Sequence, residues 1–463
     1  MNSVEGSAMP KIKATMSSFQ IPTAPGALPI VGHILPLARD PWRFLNSLPA
    51  YGDVVRIRIG PMQAVVVCDP ALTRQVLLED HLYDKGGPIF ERDREVVGDG
   101  VATCPHSRHR RQRRLVQSAF HPDRLPGYAQ AMTEQITTVI DSWYAGQVFD
   151  VYAEMTKITA RIAIATMFAG SLTPTVLEQI LADLPVVVDG VYRQALMPEA
   201  LTRVPIPSNR RFYRARDRMR HALAELIADH GSAGADQGDV LSALVTAENP
   251  SLDSGDGQSL SDTEIVDQAI TFFIAGAETT ATALAWALHF VAMHPNIERR
   301  LRTEVDAVHT GRTAAYADLP QLELTGRVIS ETLRIRPPAW FLTRVTTSET
   351  HLGKYTLPAG TTVAYSPYLI QHRPNLFTEP ERFNPDRFDR VYGSGRRYED
   401  FLTFGHGARI CIGDRFGVIE ATLALASITA RARLEPVPGR PVRPALALIE
   451  RPDRALMRVA TVR

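Results

Sequence analysis

The ten residues FGHGARICIG, 404–413, place a cysteine, Cys411, between glycines, an aromatic residue and an arginine. The chain has 3 cysteines in all, the others being Cys68 and Cys104, and no two of them have CxxC spacing. Zinc sites and disulfide frameworks need several cysteines, so we expect neither, and so few cysteines indicate a protein of the reducing cytoplasm. Cys411 therefore needs an explanation of its own.

Three roles are open to such a cysteine. It can be a buried small hydrophobic residue, a nucleophile paired with a histidine, or the protein ligand of a metal whose other ligands come from elsewhere. Haem is a site of the third kind, because four pyrrole nitrogens leave only the axial positions to the protein. In that case Gly407 and Gly413 would let the backbone approach the flat macrocycle. Arg409 would bind a haem carboxylate, and Phe404 would shield the thiolate.

The stretch resembles the cytochrome P450 signature FxxGxRxCxG, which it matches at every fixed position. Three further motifs follow in the order of that family, so the resemblance spans roughly residues 105–420. One departure is Gly417, where the family often has alanine, and it concerns only local helix packing. The resemblance implies a mainly α-helical fold with a minor β region. Haem b would lie between a long central helix and the cysteine loop, with Cys411 as its axial thiolate ligand.

Composition excludes several classes of protein. Of the 463 residues 45% are hydrophobic and 22% charged, and the formal net charge is +1, which gives no reason to expect binding to nucleic acid or to an acidic membrane. No signal peptide and no apolar run of about 18 residues is visible, so we expect no membrane anchor and a cytoplasmic location. Length alone suggests about three domains, but no linker or repeat divides the chain. We expect a flexible segment over 1–24, one domain over 25–463, and a monomer.

Local patterns predict several elements outside the motifs. Asp40-Pro41 indicates a helix start, and alternation on both sides of Gly60 predicts a β-hairpin over 53–68. A second strand region is predicted over 351–366. Helical periodicity dominates between them, to about residue 335. Breaker residues predict loops near 85–105, 195–210 and 248–260.

The stretch 261–295 predicts a long helix. Ser261 and Glu264 have capping-box spacing at its start, and Pro295 marks its end. The helix is apolar on almost all sides, which indicates that it runs through the centre of the molecule. At its middle, AGAETT, 275–280, brings an acid and two hydroxyls into a buried setting where each needs a partner. Taken alone, these residues also fit a threonine-rich kink with a solvated glutamate.

The same six residues match the (A/G)Gx(D/E)T(T/S) pattern of the cytochrome P450 family. The resemblance implies a proton relay at Glu278 and Thr279, because cleavage of the O–O bond of dioxygen requires protons. Ala275 and Thr279 share one helix face, so the Thr279 hydroxyl can donate to the Ala275 carbonyl and loosen the helix locally. Gly276 would leave room for dioxygen against the haem.

A third motif lies in ISETLRIRPP, 329–338. Glu331 and Arg334 are three residues apart on a helix that Pro337 ends, and by itself this is a surface pair worth about 0.2–0.5 kcal/mol. It is similar to the ExxR motif of the family, whose partner would be Arg387 in FNPDRF. The resemblance implies a buried ion network that holds the loop presenting Cys411.

The basic run RHRRQRR, 108–114, divides between two helix faces. His109 and Arg113 share one face, which is similar to the pair that binds the haem carboxylates in the family, and Arg344 in FLTRV would join them. Arg110 and Arg114 lie on another face. They would form an exposed basic patch that is either solvated or a docking site for an acidic electron donor.

The resemblance also implies the reaction. A substrate C–H bond, dioxygen, two electrons and two protons would give an alcohol and water. Only the stretch 412–463 follows the cysteine and it contains no flavin or iron–sulfur pattern, so we expect electrons from a separate ferredoxin and its NAD(P)H-dependent ferredoxin reductase.

The expected substrate is a compact hydrocarbon, since Trp340, Phe341 and Leu342 are bulky and apolar and would line the pocket with Ala275. Each of these residues also fits plain core packing. Short sequence segments such as VPIPSNRRF resemble those of bacterial members of the family that oxidise sesquiterpenes in antibiotic biosynthesis. This implies stepwise oxidation of a methyl group to alcohol and aldehyde. Other terpenoids, fatty acids and macrolides remain alternatives.

Three rival functions can be weighed from the sequence. A peroxygenase would draw oxygen from hydrogen peroxide, but it would not need the Glu278–Thr279 relay. A haem-based sensor or binding protein would need an output domain, and none is visible. A nucleic-acid binder built on the basic run would show salt-dependent affinity for DNA, which we do not expect.

Overall fold

The computed structural model describes residues 20–60, 62–168, 173–231, 238–247, 259–309, 311–389, 399–439, 441–445 and 447–463. Most of the predicted flexible segment, 1–24, lies outside these residues. Its last part is ordered by the first long strand, because Thr23 forms a β-bridge with Arg56 and the Ala24 N–H donates to the Arg56 carbonyl at 2.9 Å. The single domain over 25–463 stays a prediction.

The fold is mainly α-helical with small sheets, as predicted. The helices of the described residues follow in chain order. They are α1 (Ile34–Arg39), α2 (Pro41–Ser47), α3 (Pro70–Leu78), α4 (Pro88–Val97), α5 (His106–Val116), α6 (Leu125–Ile140), α7 (Val151–Phe168), α8 (Pro174–Ala195), α9 (Glu199–Thr202), α10 (Pro207–Gly231), α11 (Val240–Val245), α12 (Asp262–Met293), α13 (Pro295–Val308), α14 (Glu323–Ile335), α15 (Pro367–Gln371) and α16 (Asp414–Arg431).

The strands form one larger sheet and three small ones. They are β1 (Val54–Ile59), β2 (Met62–Val67), β3 (Tyr83–Asp84), β4 (Val148–Asp150), β5 (Leu342–Thr346), β6 (Thr350–Leu352), β7 (Tyr355–Leu357), β8 (Thr362–Tyr365), β9 (Ala432–Pro436), β10 (Pro444–Ala445), β11 (Arg451–Pro452) and β12 (Leu456–Val462). The five-stranded sheet has the order β1-β2-β8-β5-β3, in which only the β2–β8 pair is parallel. The others are β4-β12-β9, β6-β7 and β10-β11.

The predicted helix start and hairpin are confirmed. Asp40 caps α2, its side chain accepting from the Arg43 N–H at 2.9 Å, and β1 pairs with β2 across Gly60. The second strand region is also confirmed, as β6, β7 and β8. The sequence analysis missed β5, because its five residues follow Pro337-Pro338 and lack a strong alternation of their own.

Two predicted loops contain helices. The region 85–105 includes α4, which begins after Gly87 with Pro88 in its first turn, a strong helix-start signal that the loop prediction overlooked. The region 195–210 includes α9 and the start of α10. The third predicted loop, 248–260, lies almost entirely outside the described residues.

The central helix α12 begins and ends where the sequence predicts. Ser261 caps it, with the Glu264 N–H donating to the Ser261 hydroxyl at 3.3 Å and the Ser261 N–H donating back to the Glu264 carboxylate at 3.0 Å. Helices α7, α14 and α16 pack around it. Among the described helices α12 is the one long and apolar enough to span a membrane, and 78% of its most apolar stretch is buried. It is therefore the core of the fold.

Candidate active site

A cavity of about 380 Å³ lies between the middle of α12 and the loop that precedes α16. Its wall is largely apolar and includes Phe272, Ala283, Ile329, Leu342 and Phe416. Helices α5, α12, α14 and α16 and the strand β5 all contribute to the wall. Residues far apart in the sequence therefore meet around one space.

Cys411 is exposed toward this cavity. The loop is held by its own backbone, since the Cys411 N–H donates to the Phe404 carbonyl at 2.8 Å. Arg113 donates from Nη1 to the Ile410 carbonyl at 2.7 Å and so ties the loop to α5. The other two cysteines are buried, and burial raises the pKa of both thiols, to about 12 for Cys68. Cys411 is thus the cysteine placed to bind a metal in the cavity.

The glycines of the loop serve different purposes. Gly413 lies in the cavity wall, as predicted for a close approach to the ligand. Gly407 does not line the cavity, and its role beside the macrocycle stays a prediction. Its φ is +69°, and a Cβ there would lie 2.7 Å from the Leu77 carbonyl oxygen. Glycine is required at 407 because the loop packs against the end of α3.

Five cationic or imidazole side chains line the same cavity. They are Lys85, His109, Arg113, Arg344 and Arg409, and the sequence analysis missed only Lys85. Arg344 is 2% exposed and forms no ion pair with any described residue. It donates to the carbonyl of its neighbour Thr343 at 3.4 Å, and its guanidinium lies 5.6 Å from the centre of the Tyr365 ring. A buried cation without an anion is costly. The cavity therefore fits a ligand that brings its own anionic groups, as haem does with its two carboxylates.

His109 and Arg409 differ from Arg344 in their surroundings. Burial, with the Arg409 and Arg113 charges, lowers the pKa of His109 to about 3, so its imidazole is a neutral hydrogen-bonding group. Arg409 is already paired, since Nη2 donates to Asp84 at 3.0 Å and Nη1 donates to the Cys104 carbonyl at 2.9 Å. Its Nε lies 3.5 Å from Asp80. Arg409 holds the loop to the segment before α4 besides facing the cavity.

The centre of α12 has the geometry that the spacing predicts. Ala275, Gly276 and Thr279 all line the cavity, and the Thr279 hydroxyl donates to the Ala275 carbonyl at 2.7 Å. A Cβ added at Gly276 would meet no atom within 4 Å, so this position opens into space. A hydroxyl and an open groove thus face Cys411 from the opposite wall.

Glu278 does not line the cavity, and its part in proton supply stays a prediction. One helix step separates it from Thr279, and this turns its carboxylate toward α7. The residue is 0% exposed, and its Oε2 accepts a hydrogen bond from the Tyr152 hydroxyl. The Arg451 guanidinium lies over the Tyr152 ring at 5.2 Å and donates to Asp189 at 2.9 Å. Burial raises the pKa of Glu278, while the Tyr152 bond opposes this rise.

A second buried carboxyl, Glu420 of α16, does line the cavity. It bonds to Thr280, next to Thr279, and its Oε1 has no hydrogen-bond partner among the described residues. Burial raises its pKa well above the ordinary value, while the hydrogen bond to Thr280 opposes this rise. The sequence analysis missed Glu420 because only the packing of α16 on α12 brings it to this wall.

The predicted ion network is present, and it reaches the cysteine loop through a residue that the sequence analysis missed. Glu331 accepts from Arg334 Nε at 2.7 Å and from Arg387 Nε at 3.0 Å, and both Glu331 and Arg334 are 0% exposed. Arg334 donates to the Gln371 carbonyl at 2.8 Å. The Gln371 amide oxygen then accepts from the Leu402 N–H at 2.8 Å, two residues before Phe404.

The predicted pocket residues separate into two groups. Leu342, like Ala275, lines the cavity, but Trp340 and Phe341 do not, so their assignment to the substrate pocket is wrong. Trp340 is buried against Trp42 and donates from its indole N–H to the Ala447 carbonyl at 3.2 Å. Phe341 packs against the same core cluster. Both residues precede β5 and pack in this core cluster.

The basic run forms α5 with its faces as predicted. His109 and Arg113 face inward, while Arg110 and Arg114 are exposed. Arg111 has a structural role instead, since its Nη1 lies 2.7 Å from the Glu264 carboxylate at the start of α12.

Known proteins resemble this chain over nearly its whole length. A sequence model of the family described as Cytochrome P450 matches residues 22–456. The chain is 44% identical to cyclooctatin synthase of Streptomyces melanosporofaciens over 91% of each chain, and 41% identical to cyclooctat-9-en-7-ol 5-monooxygenase of that organism over 90% of each. It is 42% identical to pentalenene oxygenase of Streptomyces avermitilis, over 96% of this chain and 98% of that protein. The chain therefore belongs to the cytochrome P450 family of haem-thiolate monooxygenases.

Proposed function

We propose that this monooxygenase oxidises a polycyclic terpenoid, with a pentalenene-like sesquiterpene as the first candidate. The observation that carries the proposal is the apolar wall above Cys411, built from residues such as Phe272, Ile329 and Leu342. A compact hydrocarbon matches such a wall without leaving polar groups unpaired. The relative named pentalenene oxygenase, at 42% identity, supports the same substrate class.

A second candidate is a larger terpenoid that already carries a hydroxyl group. The relatives named for cyclooctatin and cyclooctat-9-en-7-ol, at 44% and 41% identity, favour it. Thr166 and Thr271 offer hydroxyls in the largely apolar wall, and Thr271 Oγ1 has no hydrogen-bond partner among the described residues. Such a hydroxyl can orient a polar terpenoid. Stepwise oxidation of a methyl group to alcohol and aldehyde remains part of the first candidate.

In this proposal different residues around the cavity bind the cofactor and position the substrate. Bound haem would supply the activation of dioxygen, and the Cys411 thiolate would hold its iron. Phe404, Gly413 and the backbone of the loop surround the sulfur. His109, Arg113 and Arg344 bind the carboxylates of the cofactor. Apolar side chains exclude water and position the carbon that is oxidised.

Proton supply is assigned to the polar groups of α12 and α16. The Thr279 hydroxyl, held on the Ala275 carbonyl, orients a proton donor toward the open space at Gly276. Glu278 is a proton reservoir that reaches the cavity only when its bond to Tyr152 opens. These groups favour the dioxygen-dependent reaction over a peroxygenase, which needs no such supply.

Electrons come from a separate ferredoxin and ferredoxin reductase in this proposal, and the protein works in the cytoplasm. Arg110 and Arg114, exposed on α5, give an acidic donor a basic patch. The adjacent face of α5 carries His109 and Arg113 to the cavity. A donor bound there would lie one helix diameter from the haem site.

The experiment is a binding and turnover screen with the purified holoprotein. Pentalenene, cyclooctat-9-en-7-ol, a fatty acid and a macrolide are titrated while the Soret band is followed, and products are identified by mass spectrometry. We expect a spectral shift and NAD(P)H-dependent oxidation with one of the two terpenoids. Shifts with the fatty acid or the macrolide alone would overturn the terpenoid assignment. Faster turnover with hydrogen peroxide than with a reductase system would overturn the dioxygen reaction.

A further inference from the structure

An open pocket of about 400 Å³ on the surface of α10 is lined almost entirely by arginines. Its wall consists of Pro207, in the first turn of the helix, and of Arg210, Arg211, Arg214 and Arg218. This arginine pocket shares no residue with the wall of the cavity beside Cys411. It is therefore separate from the active site.

The sequence of α10 explains why these four side chains converge. Positions 210, 211, 214 and 218 lie within about 100° of one another around the helix axis. The opposite face of the helix is apolar and buried, and it carries Phe212, Ala215, Met219 and Leu223. That face packs against α8, where a Cβ added at Gly190 would overlap the Phe212 ring. Packing of the apolar face thus directs the arginines outward together.

One of the four arginines is neutralised by a described carboxylate. Arg218 donates from Nε and Nη2 to Asp183, at 3.0 Å and 2.6 Å. Arg210, Arg211 and Arg214 form no ion pair with any described residue. Like charges three or four positions apart destabilise a helix, and the helix dipole disfavours cations near the N-terminus. A ligand with several negative charges would offset both costs.

Exposed apolar side chains adjoin the arginine pocket. Leu201, Val204 and Ile206 are 49%, 40% and 38% exposed, and Ile206 directly precedes Pro207 of the pocket wall. The Asn209 side-chain nitrogen fixes this segment, since it donates to the Leu201 carbonyl at 3.0 Å and to the Val204 carbonyl at 2.8 Å. An apolar patch is thus held beside the arginines. The two surfaces together fit a ligand with an apolar group and an anionic head.

We propose that the arginine pocket binds the diphosphate group of an isoprenoid diphosphate. A guanidinium group can bind two phosphate oxygens at once. Three unpaired guanidinium groups suit a diphosphate better than a single phosphate ester, whose charge is only about −2. The choice of an isoprenoid rests on the proposed function, because the cyclisation that supplies a terpenoid hydrocarbon consumes an isoprenoid diphosphate. An anionic phospholipid at a membrane surface has related chemistry, so the test separates the two sources.

The test is calorimetric titration of the holoprotein with inorganic diphosphate at low ionic strength. Arg211→Gln and Arg214→Gln should each bind about tenfold more weakly than the parent, because each loses one charge-assisted contact. The matched control is Arg216→Gln on the same helix, where Arg216 is paired with Asp217 outside the pocket, and its affinity should be unchanged. Should a glutamine variant fail to fold, Arg211→Lys keeps the charge but not the fork of donors. It must bind more weakly than the parent for the proposal to stand.

Two further probes identify the source of the phosphate groups. Farnesyl diphosphate should bind the parent more tightly than inorganic diphosphate does, and Ile206→Ser should remove this difference while leaving the affinity for inorganic diphosphate unchanged. Vesicles of phosphatidylglycerol test the membrane source. Sedimentation of the parent with these vesicles that is lost in Arg211→Gln, without calorimetric binding of either diphosphate, would assign the pocket to a membrane surface and overturn the proposal.

Equal affinity of the parent, Arg211→Gln and Arg214→Gln for inorganic diphosphate would overturn the proposal as a whole. Farnesyl diphosphate that binds no more tightly than inorganic diphosphate would overturn its isoprenoid part. Failure of the proposed function is measured separately, because titration with inorganic diphosphate involves no turnover. A parent that binds inorganic diphosphate through these arginines but oxidises no terpenoid would contradict the proposed function alone.

Discussion

The side-chain oxygen of Gln371 accepts a hydrogen bond from the backbone N–H of Leu402 at 2.8 Å, so α15 holds the start of the cysteine loop directly. The same oxygen accepts from the Thr403 N–H at 3.1 Å, and the Gln371 amide nitrogen donates to the Arg334 carbonyl at 2.9 Å. Gln371 is 0% exposed. It therefore joins the buried Glu331 network to the loop that presents Cys411.

Replacing Gln371 by Met should loosen this connection. Two backbone N–H groups and one carbonyl would lose their partners in a buried position, which costs about 1–3 kcal/mol. We expect a lower urea midpoint and a gradual loss of the red-shifted Soret band of the ferrous–CO complex on storage. Gln130→Met, an exposed glutamine on α6, is the matched control. A variant as stable as the parent, with an unchanged band, would remove Gln371 from the loop support.

Cys411→Ser should abolish thiolate ligation. A serine hydroxyl is a poor ligand for haem iron and cannot donate electron density as a thiolate does. We expect the ferrous–CO complex to lose its red-shifted Soret band while the far-UV circular dichroism stays close to that of the parent. The control is Cys68→Ala, a buried cysteine outside the cavity. If Cys411→Ser kept the red-shifted band, another residue would have to be the axial ligand.

Thr279→Ala should separate oxygen use from product formation. The variant keeps the fold and the haem but lacks the hydroxyl that donates to the Ala275 carbonyl at the open face of Gly276. We expect several-fold more hydrogen peroxide per NAD(P)H consumed and correspondingly less oxidised product. Thr282→Ala lies on the same helix but does not line the cavity, and it should stay coupled like the parent. Equal coupling in the parent and Thr279→Ala would contradict a role of this hydroxyl in proton supply.

Local sequence patterns predicted those features that depend on a single helix or strand. The capping box at Ser261 fixed the start of α12, and the spacing of Ala275 and Thr279 placed both on the cavity. The contact of Glu278 with Tyr152 could not be predicted, because it joins two helices whose residues lie 126 positions apart in the chain. Glu420 was missed for the same reason, since it reaches the cavity through helix packing.

Two further residues show that sequence patterns alone do not identify a cavity. Lys85 lines the cavity but was missed, whereas Trp340 was assigned to the pocket but lies in the core. A lysine beside glycines carries no pattern that indicates a cavity, and only the packing of the segment before α4 on the cysteine loop places it there. Trp340 sits in an apolar run that fits either a pocket or a core, and its hydrogen bond to the distant Ala447 carbonyl decides for the core. Sequence spacing orders residues along one element, whereas a site is made by contacts between elements.

Tyr152→Phe should remove the hydrogen bond that the Tyr152 hydroxyl donates to Glu278. Both carboxyl oxygens would then lack a hydrogen bond from the described residues, since Oε1 has none already, and the free energy of unfolding should fall by about 1–3 kcal/mol. Loss of the Tyr152 bond also removes an interaction that keeps the pKa of Glu278 down, so that pKa should rise further. We expect the alkaline limit of coupled turnover to move to higher pH. Tyr144→Phe, at an exposed tyrosine, is the control, and an unmoved pH profile in Tyr152→Phe would separate Glu278 from proton supply.

Glu450 should make stability depend on pH. The residue is 0% exposed, neither carboxyl oxygen has a hydrogen bond from the described residues, and burial raises its pKa from 4.5 to about 8. The folded protein thus keeps a proton that the unfolded chain releases above pH 4.5. This contribution to stability is complete below pH 4.5 and is lost as the pH rises toward about 8.

Glu450→Gln replaces the neutral acid by a neutral amide of the same shape and removes this dependence. Relative to the parent, the variant should gain about 4 kcal/mol in free energy of unfolding between pH 5 and pH 8.5, because each pH unit between 4.5 and about 8 costs the folded parent, which keeps its proton, about 1.4 kcal/mol. Urea unfolding at both pH values measures the difference. Glu435→Gln, an exposed glutamate on β9, should show none. A parent and a Glu450→Gln variant with parallel pH profiles would mean that Glu450 is already ionised in the folded protein, with the nearby Arg336 as its counter-charge.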